Sequence, residues 1–324
     1  MAVEFGIAQP SDFSALITLW NAGLDEWFPM TERLLRQQLE DDPTLRTEGS
    51  IVARDGGRIV GWVLAKALTD PPPVLHEYRG RGGIGALVVH PDCQRQGIGR
   101  ELLARAEAFL AASGVATSGV YYPHHFVPGI PAECESAMVF FRKHGYEGFH
   151  ECVDLIRDLN GWAPPANAFA RRSESPTVTI RPLVDGEQSA LIEFVRCEFS
   201  AGWAYSTHCS VEHGEIADFV VAVEHSEIIG FCHTWTWQSA LLGGSTHWHP
   251  LLDEQWGGLG PIGLGAAHRK RGLGLALLCE SVLHNQRRGV QRMAIDWTTL
   301  VDFYCGIGFR VWKRYRMATK ILRN

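Results

Sequence analysis

Apolar and polar positions along the chain follow one succession of periods, and that succession runs twice. VEFGIAQPSDFSALITLWNAG begins with a short strand-like stretch, turns at Pro10 and continues with apolar residues at helical spacing. VTIRPLVDGEQSALIEFVRCEF, after residue 176, repeats that order. SIVARDGGRIVGWVLAKAL predicts a hairpin around a tight Asp-Gly-Gly turn. Its counterpart is DFVVAVEHSEIIGFCHTWTW, with Gly61 and Gly230 at matching places. An apolar strand, a glycine loop and a long amphipathic helix follow in both halves, from Ile84 to Ala112 and again through HRKRGLGLALLCESVLHNQRRG. Each half closes with a short helix, a glycine stop and a final strand, in SAMVFFRKHGYEGF and TLVDFYCGIGFRVW.

Five landmarks recurring in one order predict two mixed α/β domains of duplicated origin. GWAPPANAFARRSESPT lacks periodicity and is rich in Pro, Ala and Ser, as a linker is, with Arg171-Arg172 a solvated charge pair. The expected division is residues 1–160, a linker at 161–176, and residues 177–324. A length of 324 residues, 46% of them hydrophobic, suits two such domains. A net charge of −6 implies no broad basic face for nucleic acid, although short local Arg/Lys clusters exist. No apolar run approaches the roughly 20 residues that span a bilayer, and MAVEFGIAQPSDF lacks the features of a signal peptide. Eight cysteines with no CxxC pair point to reduced thiols, so the expected setting is the cytoplasm, away from membranes.

The two glycine loops are the informative chemistry. A helix N-terminus exposes unpaired N–H groups and the positive end of a dipole, and adjacent glycines let phosphates approach the main chain. Neither loop has the Lys-Ser/Thr ending of a Walker loop, and neither has the full dinucleotide pattern at the start of its half. Gln94-Arg95-Gln96-Gly97-Ile98-Gly99 and Arg269-Lys270-Arg271-Gly272-Leu273-Gly274, each after an apolar strand, resemble the acyl-CoA-binding motif of the GNAT superfamily of N-acetyltransferases. The plan resembles tandem members of the mycothiol-synthase type. The resemblance implies two GNAT-like domains, each a mostly antiparallel mixed sheet flanked by helices. It also implies loop amides that hold the CoA pyrophosphate, with Arg100 and Leu275 at the helix starts. Leu87, Val88 and Val89, and Ile262, Gly263 and Leu264, would line the thioester beside a β-bulge. The second copy lacks the proline of the first, reading Ala-Ala where the first has Pro-Asp.

Amine acetylation needs a neutral amine, a polarised thioester and a proton for the departing thiolate. DFYCGIGF resembles the family's FYxxxGF segment and puts Tyr304 in the general-acid position, whereas the first half carries Phe140-Phe141 there. The expectation is therefore chemistry in the second half, with packing as the alternative for Tyr304. Tyr121, Tyr122, His124 and His125 are the first half's substitutes, and as surface loop residues they are more ordinary. Glu77, Asp253, Glu254 and Asp296 are base candidates by region, each also consistent with a surface acid, and no base is assigned. His247 and His249 form an HxH pair without a third ligand, so no metal site is expected. Trp235, Trp237, Trp248 and Trp256 would line an acceptor pocket or pack a core. The sequence thus predicts an N-acetyltransferase using acetyl-CoA as co-substrate, its acceptor a small-molecule amine or a protein lysine. A CoA-binding sensor without turnover, or catalysis in the first half, are the alternatives. Oligomeric state is left open.

Overall fold

Alternating and wholly apolar runs pair into sheets whose one face takes up a helix with an apolar stripe. A computed structural model describes residues 3–42, 45–120, 126–169 and 177–322. It divides into two compact units, Met1–Cys152 with Arg314–Asn324, and Val153–Lys313.

In the first unit, strand β1 (Glu4–Ile7) precedes helices α1 (Phe13–Leu24) and α2 (Glu32–Leu39). Strands β2 (Ser50–Asp55), β3 (Arg58–Ala67) and β4 (Gly82–Val89) form an antiparallel run with β1. Helix α3 (Ile98–Ala112) then returns the chain to β5 (Thr117–Gly119), which is parallel to β4. The short β6 (Ile130–Pro131), α4 (Glu135–Lys143) and β7 (Glu147–Asp158) follow. Gly61 has a packing reason: a Cβ there would meet Leu102 at 2.9 Å and Ile98 at 3.0 Å, so glycine lets α3 lie close on β3.

The second unit repeats the order. It has β8 (Val178–Pro182), α5 (Gln188–Glu198), α6 (Ala201–Glu212), and antiparallel β9 (Phe219–Glu224), β10 (Glu227–Thr236) and β11 (Trp256–Leu264). Helix α7 (Leu273–Arg287), β12 (Arg292–Thr298) parallel to β11, α8 (Val301–Cys305) and β13 (Arg310–Ile321) complete it in chain order. Each unit is a mostly antiparallel mixed sheet with helices, as the sequence predicts.

The unit borders differ from the expected division at 160 and 177. Val153–Asp158, from the end of the first half, pairs antiparallel with β12 inside the second unit. Thr319–Ile321 pairs with β5, and Tyr315–Arg316 with β6, inside the first unit. The reason is core completion: Ala318 and Leu322 pack among Val115, Val120 and Tyr146, while Val153 and Leu155 pack among Met293 and Ile295. Part of the expected linker is also core. Trp162 is buried and donates to Ile307 O at 3.1 Å, and Ala168 is buried beside it. Helices α2 and α6 have no counterpart in the sequence reading. Their signal is a hydroxyl cap, Thr31 accepting from Leu34 N and Ser200 accepting from Trp203 N.

Candidate active site

Both glycine loops adopt one geometry. Arg95 and Lys270 have φ of 63° and 61°, and Gly97 and Gly272 have φ of 89° and 76° as helix N-caps. Glycine holds that left-handed cap without steric cost. Neither cap contributes a side chain to the first helical turn, so the amides at the starts of α3 and α7 stay open to an anion. The first loop residue ties the loop to the strand end in both copies, Gln94 Nε2 donating to Val89 O at 3.1 Å and Arg269 Nε to Leu264 O at 3.0 Å. The loops differ in charge. Arg271 is held bidentate by Glu224 at 2.9 and 2.8 Å, and the guanidinium pushes the Glu224 carboxyl down to about 2. Arg269 and Lys270 remain as the second loop's other cations.

Each loop lies at the end of a strand that parts from its parallel neighbour. Strand β4 pairs with β5 only at Gly82 and Gly83, and β11 with β12 only from Trp256 to Leu259. The cause is a bulge in each case. Register shifts at Gly85, between the pairs Leu64–Ala86 and Ala65–Ile84, and at Gly260-Pro261, between Cys232–Ile262 and Thr234–Leu259. Leu87, Val88 and Val89 still pair with β3, and Ile262, Gly263 and Leu264 with β10, so each stretch keeps one unpaired edge facing the fork.

The second unit's fork holds two acid–base groups. Strand β12 carries its own bulge between Ile295 and Thr298, where Trp297 takes φ 40° and donates its N–H to Asp154 Oδ1 at 3.1 Å. That irregularity sets Asp296 beside Gly244 and Gly260. A Cβ on Gly244 would overlap the Asp296 carboxylate, and one on Gly260 would lie 3.6 Å from it. Half-buried there, the carboxyl is pushed up to about 6 by desolvation. Tyr304 on α8 is 5% exposed and packs on Phe303 and Phe309. Its hydroxyl is raised above the usual phenol range by burial first, then by the nearby Cys232 and Asp296.

The first unit has the loop without the acid. Phe141 occupies the Tyr304 position, packed edge-on against Phe140 and Tyr146, and Tyr146 is committed to Ser118 Oγ at 3.0 Å. Counted from Gly61 and Gly230, Trp62 and Lys66 match Phe231 and Trp235. Trp62 sits in an aromatic cluster with Trp20 and Phe126, centroids 5.7–6.4 Å apart, and buried Lys66 donates to Gln38 and Asp42 at 2.8 Å each. That face is filled by the protein's own side chains.

The remaining candidates do not gather at either fork. Glu77 and Glu254 are exposed, and Asp253 is an exposed partner of Arg292 at 3.0 Å. Asp296 alone departs from the surface-acid reading. Neither His247 nor His249 lies on a strand: His247 follows the 3-10 turn Gly244–Thr246, and His249 opens the next and stacks on Trp256 at 4.9 Å. Among the described residues no group of three potential metal ligands comes together, and no helix is long and apolar enough to cross a membrane. Trp235 lines the fork region, donating to Gly260 O at 3.1 Å, while Trp237 packs against the core. Tyr121, Tyr122, His124 and His125 lie outside the described residues. Asp154 is a site residue the sequence reading missed, since its contact with Trp297 spans 143 positions.

Residues 15–125 match the Acetyltransferase (GNAT) family. No curated protein sequence matches the chain. A solved region of a fungal multi-domain GH3 β-N-acetylglucosaminidase, described as a GCN5-related glucosamine N-acetyltransferase, is 24% identical with a TM-score of 0.85. It matches 98% of this chain, which spans 38% of that larger protein. A GCN5-related N-acetyltransferase from Sphaerobacter thermophilus is 20% identical over 99% of this chain and 96% of its own, TM-score 0.69. A tandem GNAT protein from the clavulanic acid biosynthesis pathway is 16% identical over 100% and 99%, TM-score 0.66. The chain is therefore a tandem GNAT-fold protein, with the match to the GNAT acetyltransferase family falling on its first half.

Proposed function

We propose that the protein transfers acetyl from acetyl-CoA to a primary amine by direct attack, and that the second unit does the chemistry. The observation that carries this is the pairing, at the β11–β12 fork, of half-buried Asp296 near pKa 6 with protonated Tyr304, next to a glycine loop. The residues fit acyl-CoA on the loop's own features: open first-turn amides, a left-handed glycine cap, and a free strand edge at Ile262, Gly263 and Leu264. Arg269, Lys270, Arg271, Gly272, Leu273, Gly274 and Leu275 would hold the pyrophosphate through amides and charge.

Asp296 accepts a proton from the bound ammonium, freeing the nitrogen lone pair for the thioester carbon. A strand amide at the fork stabilises the oxygen's developing charge. As the C–N bond forms and the C–S bond breaks, Tyr304 donates its hydroxyl proton to the thiolate, and the second proton shed by the acylated nitrogen restores the tyrosine. Its raised pKa keeps that proton in place until then. The first unit's loop, Gln94 to Arg100, is suited to the same pyrophosphate, but Phe141 supplies no proton and the acceptor face is filled. Its role in this reading is binding without turnover, and the acceptor is a small molecule in preference to a protein lysine.

Free-thiol release with acetyl-CoA and an amine panel tests the assignment. Tyr304→Phe is expected to lower kcat by about 100-fold with KM for acetyl-CoA little changed. Full activity in both Tyr304→Phe and Asp296→Asn, with loss in Gly97→Glu, would move the chemistry to the first unit.

A further inference from the structure

The two glycine loops reach one shape under different restraints. In the first, the turn into the loop is stiffened locally. Pro91 fixes its own φ, His90 Nδ1 accepts from Asp92 N at 3.3 Å, and Gln96 Nε2 donates to Asp92 O at 3.3 Å. The second copy reads Gly265-Ala266-Ala267 where the first reads His90-Pro91-Asp92, so it has no ring and no polar side chain there to hold the turn. Glycine and alanine in place of histidine and proline also leave the free chain more backbone freedom.

Two carboxylates from other elements meet the second loop at its two ends. Glu198, the last residue of α5, accepts from Ala266 N at 2.7 Å, and a Cβ on Gly265 would lie 3.4 Å from its carboxyl group. Proline at the matching position of the first loop has no N–H to donate, so this bond exists only because the proline is replaced. At the other end stands Glu224, the last residue of β9. It takes Arg271 bidentate at 2.9 and 2.8 Å, accepts from Thr177 Oγ1 at 2.9 Å and lies 3.6 Å from His268 Nε2. Arg271 stands between Lys270 and Gly272, both with positive φ, so fixing its side chain restrains the turn on either side. By charge alone a carboxylate works against a nearby phosphate, and two of them here call for a reason other than attraction.

We propose that Glu198 and Glu224 are positioning residues that clamp the second loop in its CoA-binding shape, supplying from outside the restraint that Pro91 and its neighbours supply within the first. The proposal rests on the second loop being a CoA site. Glu198 fixes where the turn begins, and Glu224 holds Arg271 just before the helix cap. The amides at the start of α7 are thereby aimed before the ligand arrives, which lowers the ordering cost of binding. Arg271 then serves through its backbone, since its guanidinium charge is matched by Glu224. The amides and the remaining loop cations meet the pyrophosphate.

Calorimetric titration of CoA into the full chain carrying Gly97→Glu follows the second loop alone. Adding Glu198→Ala or Glu224→Gln should raise the Kd about fivefold, the scale of one partly exposed charge-assisted contact. Removing a carboxylate that acts only by charge would do the reverse and tighten CoA. Glu224→Gln combined with Arg271→Gln should be no weaker than the worse single variant, as partners in one contact are. Ala266→Pro gives the second loop the restraint of the first. Its position accepts proline, because Gly265 before it has φ −52° and ψ 146°, close to the −50° and 133° of His90 before Pro91. With Ala266→Pro in place, Glu198→Ala should leave the Kd within about twofold, whereas Glu224→Gln keeps its effect. A role in general stability would not be cancelled by one proline. Unchanged or tighter CoA binding in either single variant overturns the clamp at that residue and leaves the transferase reading standing. A Gly97→Glu chain that binds no CoA overturns both the clamp and the second-unit assignment. Binding that the variants weaken, with no thiol released by wild type, keeps the clamp and overturns the transferase reading.

Discussion

Desolvation, with no cationic partner to oppose it, distinguishes the Asp296 carboxyl from the second unit's paired acids. Glu224 is held down to about 2 by Arg271, whereas Asp296 is pushed up to about 6 in the fork. Two outcomes follow from that direction. The pH profile of kcat should fall below about pH 6 with unit slope, and Asp296→Asn should abolish that limb along with most of the rate. Stability takes the opposite sign. The folded pKa lies above the ordinary 3.8, so stability is complete below that value and declines as pH rises through about 6. Above that window Asp296→Asn should therefore be more stable than wild type by about 1–2 kcal/mol in denaturant titrations. Gly244→Ala adds a steric test, since its Cβ would displace the carboxylate. It should lower kcat by about tenfold or more while acetyl-CoA binding is unchanged in calorimetry, one displaced catalytic group being enough for that loss. Tyr304 was legible from FYxxxGF alone. Asp296 was only one acid among several, because its bulge is fixed by Asp154, far away in sequence.

At the scale of elements, the strand–loop–helix unit is what the chain repeats most faithfully. Gly97 and Gly272 share a left-handed conformation, and the residue three positions earlier ties each loop to its strand. Gly97→Glu and Gly272→Glu each put a side chain and a negative charge where the loop holds φ at 89° or 76°. Isothermal titration of acetyl-CoA is expected to lose one binding event in each variant, with turnover lost only in Gly272→Glu. Two events surviving in Gly272→Glu would remove the second loop from the site. Each of helices α2 and α6 is announced by a single polar cap, Thr31 or Ser200, and α6 has no clear apolar stripe besides, while the stripe of α2 covers only two turns.

On the scale of the whole molecule, neither half of the sequence contains its complete unit. Residues 1–160 lack Tyr315, Ala318 and Leu322, which are buried in the first unit, and leave β5 without an antiparallel neighbour. Residues 177–324 lack Val153–Asp158 beside β12 and the buried Trp162. Expressed alone, residues 1–160 should show no cooperative thermal transition. Deleting Arg314–Asn324 from the full chain should abolish the first unit's transition in calorimetry. Removing three buried side chains, at about 2–5 kcal/mol each, exceeds the usual margin of a domain this size.

Periodicity and turn chemistry are local, and the sequence by itself determined what is local: two copies of the same strand and helix order, two glycine loops, and a short closing helix that carries Tyr304 in the second copy and Phe141 in the first. Proline, glycine and the spacing of apolar residues act over a few positions and leave their mark in any short window. Tertiary structure decided everything that depends on distant partners. It set which strand completes which unit, because edge pairing is chosen by the available core and not by the nearest sequence. It raised the Asp296 carboxyl through burial among Gly244, Gly260 and Tyr304.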